Sequence, residues 1–102
     1  VKKLDSDTII QTIRRSRKQV KGYGVKRIGL FGSYANGKPN PESDVDILVE
    51  FEPGQKTFDH YMDLKFFLED KFARRVDLVI AENIKSRLRP SILSSVRYAE
   101  GS

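Results

Sequence analysis

Residues 32–46 read GSYANGKPNPESDVD. A glycine–serine pair closes an apolar run, ten residues intervene, and two aspartates follow with one residue between them. A strand sends alternate side chains to opposite faces, so Asp44 and Asp46 share one face and Val45 turns to the other. Two carboxylates side by side repel each other unless a cation lies between them. Gly32–Ser33 is backbone of the kind that receives a phosphate, because glycine lets another group approach the chain closely. The stretch reads as a place for metal and phosphate, set between two strands.

Outward from it, residues 25–31 (VKRIGLF) form the strand before the turn. Residues 44–51 (DVDILVEF) form the strand after it. Val45, Ile47, Val49 and Phe51 face one way; Asp44, Asp46, Leu48 and Glu50 face the other. The connection 32–43 is rich in Gly, Pro, Asn and Ser and reads as a loop, opening with a short helical turn after Ser33. A first helix over 6–21 carries Ile9, Ile10, Ile13 and Val20 on its apolar side, with Asp5, Ser6 and Asp7 as cap candidates. Gly22-Tyr23-Gly24 ends it. No strand precedes this GxG, so it reads as a helix stop and not as a dinucleotide turn.

Downstream, Pro53-Gly54 breaks the second strand. A helix over 58–72 shows the stripe Phe58, Tyr61, Leu64, Leu68 and Phe72, with Phe66 and Phe67 as further core or as a contact between subunits. Residues 74–80 (RRVDLVI) form a third strand. A last helix covers 85–98, with Pro90 in its first turn. The expected architecture is α/β (α+β): a small mixed β-sheet with helices packed on one side and the aspartate-bearing face open at one end.

The length of 102 residues suits a single domain over 1–102. Apolar residues at 38% exclude a disordered chain. No apolar run approaches the length needed to span a bilayer and no signal-peptide pattern opens the chain, so a cytoplasmic location and no membrane are expected. The absence of cysteine removes disulfides and thiolate chemistry. The net charge of +5 gathers early, at Arg14, Arg15, Arg17, Lys18, Lys21, Lys26 and Arg27. No aromatics interleave with these cations, so a solvated helix face is favoured over a nucleic-acid surface.

Asp77 lies inside an apolar strand, where a carboxylate is costly unless paired or bound to a cation. If the third strand lies beside the second, Asp77 joins Asp44 and Asp46. Three carboxylates suit hard divalent ions such as Mg²⁺. Two such ions, roughly 3.5 to 4 Å apart, hold the entering and leaving oxygens of a phosphoryl displacement. Asp44 and Asp46 are then expected to bridge both ions. Asp77 completes the ion that binds an acceptor hydroxyl. Gly32 and Ser33 take the β and γ phosphates of a triphosphate. Ser43, just before Asp44, either orients the turn or touches a phosphate. His60 has no metal-ligand spacing around it, and Tyr34 reads as packing or as a pocket wall.

Gly32-Ser33, ten residues and Asp44-Val45-Asp46, with a later strand aspartate, resemble the signature of the DNA polymerase beta-type nucleotidyltransferase superfamily. The size and the run GSYANGKPNPESDVDILVEF are similar to its minimal branch, the MNT proteins, commonly paired with a HEPN-domain partner as toxin and antitoxin. The resemblance covers the first helix through the third strand. It implies Mg²⁺-dependent transfer of a nucleotidyl group, often AMP from ATP, with Asp44, Asp46 and Asp77 catalytic and metal-binding and Gly32, Ser33 and Ser43 at the nucleotide. The implied acceptor is a tyrosine hydroxyl on a HEPN toxin. One position departs: the family often has arginine where Asn36 stands, and asparagine brings no charge to a triphosphate. Lys38 stands nearby as a partial substitute or a solvated loop residue. The departure favours a second reading, a non-catalytic antitoxin that works by binding with a weakened nucleotide site. A chain this short leaves little to build an acceptor pocket, so that wall is expected from the HEPN partner or from a second copy in a homo-oligomer. The same shortage argues against an antibiotic-modifying enzyme.

Overall fold

The computed structural model describes residues 4–37 and 43–100. Helix α1 (Ser6–Arg15) starts where the Asp5 carboxylate accepts from the Thr8 N–H at 2.8 Å. That bond holds the Asp5 carboxyl below its usual pKa. The helix buries Ile9, Ile10 and Ile13. The expected single helix over 6–21 is broken: Ser16 leaves helical geometry (φ −99°, ψ 15°) and α2 (Arg17–Gly22) begins anew. The interruption falls among Arg14, Arg15, Arg17 and Lys18, where like charges crowd one helical turn and continuous helix is least favoured. Val20 of α2 still reaches the core.

Strands β1 (Val25–Phe31), β2 (Val45–Phe51), β3 (Val76–Ile80) and β4 (Arg97–Glu100) form one sheet in the order β3-β2-β1-β4. β1 runs antiparallel to β2 and β4, while β2 and β3 are parallel. A parallel pair needs a crossover, supplied by helix α4 (Phe58–Phe72). The Thr57 hydroxyl accepts from the His60 N–H at 3.1 Å to start α4, and Ala73 ends it in the left-handed region (φ 53°). Among the described residues, no helix is long and apolar enough to cross a membrane.

The main core lies between one sheet face and helices α1, α2 and α4. Ile28 and Leu30, then Val45, Ile47 and Val49, then Val76 and Leu78 meet Ile9, Ile13, Val20, Leu64, Leu68 and Phe72. The opposite face is not bare. Leu48, placed by sequence on the polar face, is 1% exposed there, covered by Ala81 and Ile84 with Phe31, Val79, Ile92 and Val96. Helix packing on one side thus describes α1, α2 and α4; the short 3₁₀ turn Ala81–Asn83 and helix α5 (Arg89–Ser95) cover part of the other face.

Three further expectations change. The last helix is half as long as its periodicity suggested, and residues 97–100 form a fourth strand instead. Pro90 does sit in the first turn of α5. Ser94 and Ser95 donate their hydroxyls to the Ser91 and Ile92 carbonyls, and Val96 is extended. β4 can lie against β1 because Gly29 has no side chain: a Cβ there would stand 2.8 Å from Val96 Cγ2 and 3.0 Å from the Arg97 carbonyl oxygen. Phe58, counted in the α4 stripe, is the first residue of the helix and is 77% exposed. Phe67 packs on the core and its ring lies 5.7 Å from that of Tyr23, whereas Phe66 is exposed.

Gly29→Val is expected to destabilise the fold by about 2 kcal/mol or more by overpacking the β1–β4 contact. Gly22→Ala, with nothing within 4 Å of the added methyl, serves as the neutral comparison. Urea unfolding of both variants checks this.

Candidate functional site

The two ladders around β2 set the site. Phe31, the last residue of β1, pairs with Asp46, and Asp46 pairs with Asp77 on the other side. Gly32 follows Phe31 directly, so the glycine turn, Asp46 and Asp77 form one row across the end of three strands. The contact at Gly32 is close: a Cβ there would lie 2.1 Å from Asp46 Oδ2, and the residue has φ +75°. Only glycine meets both conditions. Ser33 lies in the short helix α3 (Gly32–Ala35), held in place by Tyr34, which is 2% exposed in the main core. Tyr34 is therefore the anchor of the turn and not a pocket wall.

Asp44 is exposed just before β2, with half-buried Ser43 ahead of it. Asp77 is exposed and Asp46 half-buried. Thus the structure brings Gly32, Asp46 and Asp77 together in register, with Ser33, Ser43 and Asp44 at the same end of the sheet. Asn36 is exposed and ends α3; Lys38 lies outside the described residues. The His60 ring is hydrogen-bonded at Nδ1 to the Gln55 carbonyl, away from the row. One positioning residue had no sequence signal. Glu69, on α4, accepts from the Val76 N–H at 3.0 Å and ties the start of β3 to the crossover helix.

The carboxylates feel one another. The Asp46 pKa is pushed up from 3.8 to about 6, first by burial, then by the charges of Asp77 and Asp44 and by a side-chain hydrogen bond with Asp77. No basic group is among the causes. A row of oxygen donors carrying excess negative charge is the right donor chemistry for a hard divalent cation. Among the described residues, no three such groups already form a cluster able to hold an ion unaided. Mg²⁺ is ordinarily bound through one or two carboxylates together with substrate phosphates and water, so the donor set fits that ion as part of a shared shell.

Residues 10–99 match the model of the nucleotidyltransferase domain family. The chain belongs to this family. Its relatives place it in the minimal branch. It is 41% identical over 76 residues to the protein adenylyltransferase MntA of Thermococcus cleftensis, covering 74% of this chain and 76% of the relative. It is 42% identical over 78 residues to a candidate protein adenylyltransferase of Methanocaldococcus jannaschii, covering 74% of this chain and 78% of that one. A solved structure of a candidate minimal nucleotidyltransferase superposes with a TM-score of 0.72 at 33% identity, over 95% of this chain and 98% of the other.

The raised Asp46 pKa has a sign. The fold favours the protonated carboxyl, so the folded chain holds more protons than the unfolded one between about pH 4 and pH 6, and stability falls as pH rises through that window. Without divalent ions, Asp46→Asn is expected to melt above wild type at about pH 8, and the difference should close below about pH 4. Added Mg²⁺ should raise the wild type more than the variant. Scanning calorimetry with and without EDTA checks both.

Proposed function

We propose that this minimal nucleotidyltransferase moves AMP from ATP to a hydroxyl, a tyrosine on a HEPN-domain toxin, and so acts as its antitoxin. The observation that carries the reading is the row Gly32–Asp46–Asp77, which sets the glycine turn in contact with paired carboxylates. The names of the relatives support the reaction. The same fold occurs in a toxin–antitoxin structure with AMP-PNP (TM-score 0.69, 22% identity, 87% of this chain and 73% of the other). It occurs also in a complex of a tri-AMPylated HEPN toxin from Shewanella oneidensis with its MNT antitoxin (TM-score 0.63, 20% identity, 91% and 73%). The reading places the protein in the cytoplasm with its ATP.

Asp44, Asp46 and Asp77 would hold two Mg²⁺ ions, which when bound neutralise the polyphosphate and lower the pKa of the acceptor hydroxyl. Gly32 and Ser33 seat the β and γ phosphates through backbone N–H groups and the serine hydroxyl, and Ser43 shapes the turn into Asp44. Asp77, exposed on the outer side of the row, takes the proton from the acceptor oxygen. The new oxygen–phosphorus bond forms at the α phosphorus, the bond to the β-phosphate oxygen breaks, and pyrophosphate leaves from the Gly32–Ser33 side. The residues 1–102 act as one domain that builds the nucleotide side, and the acceptor wall comes from the partner.

The test is incubation of the chain with a HEPN-domain toxin, Mg²⁺ and ATP labelled at the α phosphate. Label should appear on the partner. Asp44→Ala and Asp77→Ala should each lower transfer at least about 100-fold, the scale of losing one preorganised electrostatic contribution. Gly32→Ala should lower it as far, because its methyl takes the place of the Asp46 carboxylate. Asn36, uncharged at the end of α3, favours the second reading of an antitoxin that acts by binding. Neutralisation that survives Asp44→Ala with no label on the toxin would decide for it.

A further inference from the structure

The parallel ladder between β2 and β3 begins one residue ahead of the strands. The Val45 N–H donates to the Arg75 carbonyl at 2.9 Å, and Val45 pairs with Val76. Asp44 and Arg75 are therefore neighbours across the sheet end, as Asp46 and Asp77 are two residues further in. Val76 is buried and Asp77 exposed, so the extended chain turns Arg75 to the carboxylate face. Arg75 is exposed, and its side chain makes no ion pair or hydrogen bond among the described residues. Its backbone belongs to the fold, while its charge has no partner among the described residues.

Sidedness assigns the charge. In the order β3-β2-β1, the Gly32 turn lies on one flank of Asp46 and Arg75 on the other. Neighbouring strands are about 4.8 Å apart, so the two flanks stand about 10 Å from each other. A displacement at phosphorus keeps the entering and leaving oxygens roughly in line, on opposite sides. With the polyphosphate on Gly32–Ser33, the β3 flank is left to the entering group. A cation there faces the acceptor and not the departing pyrophosphate.

An acceptor protein that approaches this row meets three carboxylates. An acidic segment would be repelled unless a positive charge receives it, and a guanidinium fork is well matched to a carboxylate. We infer that Arg75 is an acceptor-docking residue, whose guanidinium engages a carboxylate of the partner protein close to the hydroxyl that receives the nucleotide. This rests on the transferase reading, but it concerns the opposite flank of the row from the nucleotide and can be measured without turnover.

Three measurements on the full chain test it, with the HEPN-domain toxin of the transfer test as the probe. Arg75→Ala should weaken binding of that protein, measured without nucleotide or metal, about tenfold, the scale of one charged hydrogen-bonded contact. Arg75→Glu should weaken it further, and Arg75→Lys should restore it in part. The KM for the toxin in AMP transfer should rise by the same factor. The affinity for AMP-PNP with Mg²⁺ should stay within about twofold, and the melting temperature should hold because the Arg75 carbonyl remains. Unchanged toxin affinity and KM in Arg75→Ala would overturn the proposal. So would a tenfold loss of AMP-PNP affinity with toxin binding intact, or no toxin binding by the wild type. If the wild type binds the toxin but transfers nothing, the transferase reading fails, and the binding data alone decide the role of Arg75.

Discussion

Asp46 and Asp77 are side by side because β2 and β3 are parallel in one particular register, and everything at the active end depends on that pairing. Their repulsion is opposed from the other side of the same strands, where Val45, Ile47, Val49, Val76 and Leu78 are buried beneath α1 and α4. A slip of one residue would bury Asp46 and expose Ile47, so the core that stabilises the sheet also forbids the carboxylates from moving apart. Two further bonds pin the register at its start: Val45 to Arg75 and Val76 to Glu69. The chain thus keeps an electrostatically unfavourable row with hydrophobic burial, and the half-buried Asp46 records that tension in its raised pKa.

Close approach at two glycines gives the site its shape. Gly32 lets the turn touch the Asp46 carboxylate, and Gly29 lets β4 lie against β1. Tyr34 locks the first contact by filling the core directly after the turn. The glycine turn is therefore rigidly joined to the carboxylates, as a site that relies on preorganised charge requires.

The row is also asymmetric. On one flank lies the Gly32 turn and on the other Arg75, whose side chain makes no ion pair or hydrogen bond among the described residues. Asn36, exposed at the end of α3, brings no charge to the Gly32 flank.

The spacing of Gly32-Ser33 and Asp44-Val45-Asp46, and the alternation of β2, were legible from residue types alone because they are local: a strand repeats every two residues whatever surrounds it. So were the three longer strands, α4, and the place of Pro90. The break at Ser16, the exposure of Phe58 and the burial of Leu48 were not, because each depends on which surface another element covers. The strand at 97–100 was invisible for the same reason. Its helical spacing is weaker than the hydrogen bonds offered by the open edge of β1, and Gly29 makes that edge reachable. By itself, then, the sequence determined three of the four strands, the turn and side-chain types suited to phosphate and metal chemistry. Only the tertiary structure decided that Asp77 meets Asp46 and that Arg75 stands beside Asp44, because register between distant segments is set by the shared core and by backbone bonds that no local pattern encodes.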